Sequence, residues 1–554
     1  MKTLFSLIVL FLLSVPSHAA VWIVTSTADV DVPGTLRHAV IGAVANDTIK
    51  FDPGLAGSVI SLSLGELQIT KSLTITGLGP TNLAIVNNTD RVFHVLNGPL
   101  TSSISGLKIT GHLKGARGID GSPGNQNGTS GTGVTGGGIQ NDAQCLLTVS
   151  NCFFNGCQAI GGDGGSGHTN EFYANNPASG GNGGAACGGA VYNFDGDVLL
   201  MNCAFAGNFA GGGSGGSGYF GGNGGSGGTA QGGALCNAYG NDVFVVNCTF
   251  YGNTAAAGDG GNGGKAWALP GNGGNGGNGG AAEGGAIYIV KGCPATDCTG
   301  MVHCTIDNNQ IVPGQGKKGG LGNGGAAGAD GVNGAAHGGG LHAPNIDFLP
   351  INNTIVAGNY WTIHFTTGAM NFAGLDVFNP VSSFKYNFIG VADGSSGWIA
   401  GFDFTGSTAA PLDPLLGPLQ INNGGETPTQ SPLSCSPVID KGSATLFNRD
   451  QILQVRPVGI TTPPYLMDGS DIGAFELQSF PTTRPLLGIV RSFATNTVTI
   501  FWPYEFNCFA LQQNADLATT NWVAVMDTVS VVGNQCQVTV TPSVSHEFYR
   551  LVHP

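Results

Sequence analysis

The sequence predicts a right-handed parallel β-helix, a solenoid in which each coil of the chain rests on the previous one. Two recurring phrases and a two-residue alternation of apolar side chains predict this fold. The first phrase occurs as GLKITGH, NCFFNGC, NCAFAGN, NCTFYGN, HCTIDNN and NTIVAGN, beginning at Gly106, Asn151, Asn202, Asn247, His303 and Asn353. Successive starts lie 45, 51, 45, 56 and 50 residues apart. Such self-similarity is typical of solenoids, in which each repeat buries its apolar face against its neighbours.

The second phrase is GG[GA] followed by an apolar residue, and it precedes each of the last five windows. Its apolar positions are Ile139, Val191, Leu235, Ile287 and Leu341. Within a window, residues two apart share one face of a strand. Stacked coils therefore place like side chains above one another. We expect buried ladders formed by Cys152, Cys203, Cys248 and Cys304, and by Phe205 and Phe250.

Asparagine ends four of the windows, at Asn208, Asn253, Asn309 and Asn359. Asparagine tolerates left-handed turns, and its side-chain amide can bond the neighbouring coil. A similar column follows the GG phrase, at Asn141, Asn193 and Asn237. We interpret both columns as structural.

The chain is predicted to divide into five regions. Residues 1–19 form a signal peptide, residues 20–110 a cap helix with the first coils, and residues 111–365 the coils with glycine-rich insertions. Residues 366–478 form the terminal coils and their cap, and residues 485–554 a small β-sandwich module. The cap helix is predicted from Thr35 to Val44, with its apolar stripe on Leu36, Ala39, Val40 and Ala43. It covers an end of the solenoid that would otherwise invite association.

The first residues have the pattern of a secretory signal: Lys2, an apolar run from Leu4 to Val15, and a small-x-small site ending at Ala19. We therefore expect an exported protein with no transmembrane segment in the mature chain. The formal net charge is −14, and only 19 of the 554 residues are Lys or Arg. This balance argues against nucleic acid as a partner, since nucleic-acid binding depends on clustered positive charge.

Glycine-rich loops separate the later coils, and in them glycine recurs at every third position. One loop has it from Gly212 to Gly227, and another from Gly316 to Gly334. Period three is that of polyproline II, although proline is nearly absent here. Two interpretations remain open: flexible fringes on the solenoid, or a bundle of extended polyglycine helices leaving one edge of the coils. Ordering such a loop costs about 1–2 kcal/mol per residue, which only a network of backbone hydrogen bonds could offset.

Metal and disulfide predictions are limited. Asp163, Asp259 and Asp330 stand in glycine-rich surroundings and suggest calcium, but the tandem motif of a calcium β-roll is missing. We otherwise predict no cofactor and no metal site. Because export permits oxidation, disulfides are predicted between Cys293 and Cys298 and between Cys508 and Cys536.

No catalytic residue is predicted. The best basic cluster is Lys108, His112 and Arg117, and the best acidic pair is Asp195 with Asp197 in the turn NFDGDV. Turn aspartates are common without any catalytic role. A glycosidase needs two carboxylates about 5–9.5 Å apart, and the sequence alone shows no such pair. These five residues are weak binding candidates.

Several motifs resemble known families of secreted proteins. The alternation of GGA[ILV] with FxxN resembles the repeats of bacterial polymorphic outer-membrane proteins, and TSTADVDVPGTLRHAV resembles the N-terminal entry of secreted β-helix proteins. NTIVAGN at Asn353, YNFIGVADGSSGW at Tyr386, DPLLGPLQINNGGETPT at Asp413 and DIGAFE at Asp471 resemble the terminal coils of the choice-of-anchor Q family. The resemblance implies a pectate-lyase-like β-helix, a bacterial secreted or cell-surface location, and display or adhesion. It implies no defined reaction.

Two further resemblances concern parts of the chain. The last module is similar to immunoglobulin- or fibronectin-like modules at the C-termini of secreted bacterial proteins. The glycine-rich loops resemble, by composition, those of phage adhesins, glycine-rich antifreeze proteins and cell-wall-associated glycine-rich proteins.

Three functions follow as hypotheses. The first is an adhesin-like surface or extracellular protein that presents its glycine-rich loops to a glycan or another cell surface. The second is a polysaccharide lyase or glycoside hydrolase using a groove of the β-helix, which converging Asp, Lys and Arg side chains would favour. The third is a surface- or ice-interacting polyglycine protein, which a flat, regular face of Asn, Ser and Thr would favour. We expect the first, and expect that the protein is not an enzyme.

Overall fold

The computed structural model describes residues 19–96, 98–122, 127–168, 176–239, 242–267, 269–290, 300–344, 349–363, 372–444, 447–461, 467–479, 485–492, 494–533, 535–541 and 547–552. Up to residue 405 its strands pair only in parallel, each with the equivalent strand of the next coil. The predicted β-solenoid is thereby confirmed at the level of a stack of parallel strands.

Four parallel sheets run along the solenoid. Sheet A contains Val21–Val24, Thr48–Phe51, Thr74–Thr76, Thr101–Ser105, Leu146–Ser150, Asp197–Met201, Val243–Val246, Gly300–Val302, Pro350–Asn352 and Ser382–Ser383. Sheet B contains Ser58–Leu62, Leu83–Asn87, Lys108–Lys114, Phe153–Asn155, Gln158–Ile160, Ala204–Ala206, Phe209–Gly211, Thr249–Tyr251, Thr254–Ala256, Thr305–Asp307, Gln310–Val312, Ile355–Ala357, Tyr360–Trp361, Phe388–Ile389 and Phe404–Thr405. Sheet C contains Leu67–Ile69, Phe93–Val95, Ile139–Asn141, Val191–Asn193, Leu235–Asn237, Ile287–Ile289, Leu341–His342, Val377–Pro380 and Ser395–Ser396. Sheet D contains Val134–Thr135, Ala186–Cys187, Ala230–Gln231, Ala282–Glu283, Ala336–His337 and Phe372–Ala373.

One α-helix, Leu36–Gly42, packs beside the first strands, and the Thr35 hydroxyl caps its N-terminus by accepting from the His38 N–H. Short 3₁₀ turns span Pro53–Leu55 and Tyr504–Phe506. The predicted cap helix is thus present, and three of the residues predicted for its stripe, Leu36, Ala39 and Val40, are buried within it.

The predicted side-chain ladders fill the interior. Cys152, Cys203, Cys248 and Cys304 are unpaired thiols with no exposed surface. The rings of Phe154, Phe205 and Phe250 stack in parallel, with centroids 4.8 and 4.5 Å apart. The column continues through Ile306, which is the strand neighbour of Phe250.

The asparagine columns are also ladders. Each amide Nδ2 donates to Oδ1 of the next coil at 2.8 Å, from Asn208 through Asn253 and Asn309 to Asn359. Asn141, Asn193 and Asn237 form the second column, at 2.8 and 2.9 Å.

The left-handed turns lie beside these asparagines rather than on them. The first window position has positive φ in every coil, from 46° at Asn353 to 65° at Gly106. In the five windows from Asn151 onward, the sixth position is also left-handed, for example at Gly207 and Gly252. The seventh-position asparagine therefore provides the ladder, while glycine beside it takes the strained backbone.

The described residues of 413–444, 447–461 and 467–479 return along the outside of sheet B. The Thr249 hydroxyl donates to Gln451 Oε1 at 2.6 Å, and Gln430 Nε2 donates to Asp307 Oδ2 at 2.7 Å. Arg456 and Glu476 form a fully buried ion pair, with Nε and Oε2 3.1 Å apart. The stretch 448–461 is therefore packed against the coils.

The C-terminal module consists of two antiparallel sheets around one core that includes Ile500, Trp502 and Val538. One sheet contains Gly488–Ser492, Thr497–Pro503, Gln535–Val540 and Ser530–Val532, and the other Val523–Ala524, Ala510–Asn514 and Phe548–Val552.

The disulfides differ from the sequence prediction. Cys508 pairs with Cys435, so the bond ties the module to the segment before it, and Cys536 is a buried free thiol. A further bond joins Cys187 to Cys236 in adjacent coils. The predicted pair of Cys293 and Cys298 lies outside the described residues.

Candidate binding surface at the tips of the glycine-rich loops

Five glycine-rich insertions form one hydrogen-bonded bundle; in chain order their described residues are 115–122 with 127–133, 161–168 with 178–185, 212–229, 257–267 with 269–281, and 313–335. Gly225 donates its N–H to Gly216 O at 2.9 Å, Gly261 to Gly225 O at 2.8 Å, and Gly277 to Gly261 O at 2.8 Å. The same pattern reaches the first loop through Gly165 and the last through Lys317. The bundle interpretation is confirmed for the described residues, and the flexible-fringe interpretation is wrong for them.

Close backbone packing explains why these positions are glycine. A Cβ on Gly225 would lie 2.0 Å from Gly181 O, and one on Gly261 would lie 1.9 Å from Gly216 O. Side-chain carbons do not approach an oxygen below 3.0 Å without displacement. Neighbouring segments are therefore held at a distance that only glycine permits, and period three places such a glycine at every contact.

Side chains between the glycines fasten the bundle on its outside. In the second half of each loop, backbone N–H groups donate to asparagine side chains of the preceding loop. Ser179 N–H donates to Asn127 Oδ1, Asn275 N–H to Asn223 Oδ1, and Ala329 N–H to Asn275 Oδ1, each at 2.8–2.9 Å. A parallel row runs through Ser130, Asn182, Ser226, Asn278 and Val332. This face is a regular array of exposed Asn with Ser.

The aspartates considered for calcium serve the same purpose. Asp163 Oδ1 accepts the Ser214 N–H at 2.7 Å. Asp259 accepts the Gln315 N–H and lies 2.7 Å from Lys317 Nζ, and Asp330 lies 2.6 Å from Lys318 Nζ. Each aspartate is held by its own hydrogen bond or ion pair. Among the described residues, the three aspartates therefore do not form a shared calcium site.

Aromatic side chains gather where the third and fourth loops turn. Tyr219 and Phe220 have centroids 4.2 Å apart, and Phe220 and Trp267 are 5.2 Å apart. With Lys265 and Asn323 they line an open cavity of about 630 Å³. Trp267 is 61% exposed, and the neighbouring Leu269 is 77% exposed. We call this group, Tyr219, Phe220, Lys265, Trp267 and Asn323, the tip cluster.

The sequence carries one signal for the tip cluster, which is its aromatic residues. Tyr219, Phe220 and Trp267 are aromatic residues in loops that consist mostly of Gly, Ser, Asn and Ala. The binding candidates predicted from the sequence are charged residues and a histidine instead.

The predicted basic cluster is not one site. Lys108 and His112 lie four residues apart on one strand, which separates them by about 13 Å. Lys108 Nζ lies 5.5 Å from the Phe153 ring centroid and shares a cavity of about 340 Å³ with Glu426. His112 Nε2 lies 3.1 Å from Gly156 O, and Arg117 pairs with Asp120 at 2.7 Å in the bundle.

The predicted acidic pair serves a turn between coils. Asp195 has a φ of 54°, and its carbonyl accepts the Gln144 N–H at 3.0 Å. Asp197 Oδ1 accepts the Asp242 N–H at 3.0 Å.

Three carboxyl groups that no sequence motif singles out lie together elsewhere. Asp307, Asp376 and Asp413 line a cavity of about 410 Å³. Burial raises the pKa of Asp307 to about 6 and that of Asp376 to about 7. Asp376 terminates the asparagine ladder, since Oδ1 accepts from Asn359 Nδ2 at 2.8 Å and Oδ2 accepts the Val391 N–H at 2.6 Å. Its hydrogen bonds are thus used for structure.

A second polar cluster lies on sheet C near the N-terminal end. His94 stands between two carboxylates, with Nδ1 3.0 Å from Glu66 Oε1 and Nε2 3.1 Å from Asp142 Oδ2. Arg91 Nε lies 3.2 Å from Glu66 Oε2. The imidazole fills the space that a water or a glycosidic oxygen would need between the carboxylates.

Among the described residues, one group has the spacing of a metal site: Glu283, His337 and His342. None of the described helices is long and apolar enough to cross a membrane. No family model matches the chain. No curated protein matches it either.

Proposed function

We propose that the protein is an exported, non-enzymatic display protein whose tip cluster binds a glycan on another surface. The supporting observation is the tip cluster itself: exposed aromatic rings with amine and amide groups around an open cavity, held at the end of a hydrogen-bonded bundle. Aromatic faces pack against the C–H faces of sugar rings, while a few polar groups bond hydroxyls and set orientation. A rigid support lowers the entropic cost of binding.

The solenoid supplies the support in this proposal. It is taken to be a right-handed, pectate-lyase-like β-helix of the choice-of-anchor Q type, carrying a small β-sandwich module at its C-terminus. Export is inferred from the signal-like N-terminus, and the disulfides Cys187–Cys236 and Cys435–Cys508 are in keeping with an oxidising compartment.

A glycan array probed with the purified full chain tests this function. We expect binding that Trp267→Ala and Tyr219→Ala each reduce at least tenfold. The matched control is Tyr239→Ala, which removes a ring that is 64% exposed but lies outside the tip cluster. Equal loss in the control, or binding unaffected by all three changes, would contradict the proposal. Release of unsaturated uronate or reducing sugar in a parallel assay would instead establish an enzyme, and Asp307→Asn would then be the first variant to examine.

The regular Asn and Ser rows favour a second candidate, binding to ice or another ordered surface. An ice-recrystallisation assay separates the two, because Asn182→Leu and Asn278→Leu alter that face and leave the tip cluster intact. Inhibition by the wild type that both variants abolish would support this candidate over glycan display.

A further inference from the structure

Two columns of side chains face each other where sheets C and D meet across the GG turns. In sheet D, Gln231, Glu283 and His337 are register neighbours on successive coils. In sheet C, Tyr288 and His342 are register neighbours on the same coils. Stacking therefore brings together residues from positions 231 to 342 that no spacing motif would connect.

Three of these side chains converge on one point. One ligand atom each from Glu283, His337 and His342 lie within 4.8 Å of one another. Nδ1 of His337 is 3.7 Å from Oε1 of Glu283. The other carboxylate oxygen accepts from Gln231 Nε2 at 2.8 Å, which fixes the orientation of the carboxylate.

One ring nitrogen of the buried histidine has no hydrogen bond of normal geometry, although the Asn379 side chain lies beside the ring. His342 is only 3% exposed, yet its Nδ1 has no hydrogen bond within the described part of the chain. A buried ring nitrogen without a partner is costly. Stacking of the His337 ring on Phe378, with centroids 4.4 Å apart, accounts for the position of His337. It does not account for the unpartnered nitrogen or for the carboxylate.

We propose that Glu283, His337 and His342 bind one divalent transition-metal ion of the zinc class. Two imidazoles and one carboxylate are a set of three protein ligands that zinc accepts, with a fourth position left for water or another ligand. Zinc–ligand bonds of about 2.0–2.2 Å place tetrahedral ligand atoms roughly 3.3 Å apart. The half-buried Glu283 and His337 close that gap by side-chain rotation, while the buried His342 stays fixed. Gln231 is the outer partner that orients the carboxylate, a common feature of metal sites.

This site does not depend on the proposed glycan binding. It lies on the body of the solenoid, and none of its residues belongs to the tip cluster. Loss of either property leaves the other testable.

Calorimetric titration of zinc chloride into untagged, chelator-treated full chain tests the proposal. We expect one ion per chain. His337→Gln and Glu283→Gln should each weaken binding more than 100-fold, and Gln231→Leu should weaken it about 10- to 100-fold. His112→Gln is the matched control, a half-buried histidine of the solenoid outside the cluster, and should bind as the wild type does.

Thermal denaturation without and with zinc controls for misfolding. A folded variant that has lost the site should have the melting temperature of the metal-free wild type. Its melting temperature should not rise when zinc is added. Visible absorption bands of bound Co²⁺, present in the wild type and absent in His337→Gln, provide a readout that a purely structural role would not move. No binding by the wild type, or equal binding by His337→Gln and His112→Gln, would overturn the proposal.

Discussion

Nδ2 of Asn253 donates a 2.8 Å hydrogen bond to Oδ1 of Asn309, a residue 56 positions later in the chain. Both side chains are fully buried. An amide is both donor and acceptor, so one residue type can repeat in every coil and satisfy its neighbours on both sides. This property explains why asparagine recurs at one position of the repeat.

Removing one rung should therefore break bonds on two sides. Asn253 accepts from the N–H and Nδ2 of Asn208 and donates to Asn309 and to Phe205 O. Asn253→Ala should lower the free energy of unfolding by about 3 kcal/mol or more, because buried groups lose their partners. Urea denaturation measures this. Asn262→Ala, on the exposed surface of the bundle, is the control and should change it by about 0.5 kcal/mol or less. Equal effects would show that the ladder carries no special stability.

The stacked rings give a second prediction. Phe205 lies between Phe154 and Phe250 and has no exposed surface. Phe205→Ala should cost about 3–5 kcal/mol, because a cavity opens between two coils. Phe194→Ala removes a ring that is 41% exposed and should cost far less. Similar losses for the two variants would mean that the column is not continuous in solution.

One methyl group should disturb the bundle. In Gly261→Ala the new Cβ would meet Gly216 O at 1.9 Å, so two helices must separate and lose their mutual hydrogen bonds. We expect faster proteolysis within the loops 212–229 and 257–281 while the circular dichroism of the solenoid is retained. Ser214→Ala, at an exposed position of the same bundle, should leave the proteolysis rate unchanged. A Gly261→Ala protein as resistant as the wild type would contradict the close packing.

The end of the ladder should be sensitive to pH. The pKa of Asp376 rises from 3.8 to about 7 in the folded chain, mainly because burial disfavours its charge. A group whose folded pKa is raised binds its proton more tightly when folded, so its contribution to stability is present below pH 4 and is lost as pH rises toward 7. Melting temperatures should thus fall over this range, and Asp376→Asn should flatten that dependence.

The same variant also replaces the acceptor of the Val391 N–H, so it should be less stable than the wild type at pH 4. A wild type with stability rising from pH 4 to 7, unchanged by Asp376→Asn, would contradict this assignment.

Residues that recur periodically made much of the fold predictable from the sequence. The features that could not be predicted depend on contacts between residues far apart in the chain. Asn253 and Cys248 recur at a fixed position of the repeat, so their ladders follow from stacking alone. The Cys435–Cys508 bond and the burial of Arg456 depend on how the chain returns over sheet B, which no local pattern encodes. Glu283 and His342 meet only because their strands lie in neighbouring coils, and Tyr219 meets Trp267 only because two loops end side by side. Lys108 and Arg117 were grouped as candidates because they are close in sequence, and in the structure they accordingly lie in different places.

Backbone hydrogen exchange in the glycine-rich loops tests the central claim most directly. The amides of Gly225, Gly261 and Gly277 donate to neighbouring helices at 2.8–2.9 Å. The bundle therefore predicts that peptides covering residues 212–229 and 257–281 exchange slowly, close to the rate of the strand Thr249–Tyr251. Exchange of those peptides at the rate of an unstructured chain, with the strand still protected, would contradict the bundle and remove the support on which the tip cluster depends.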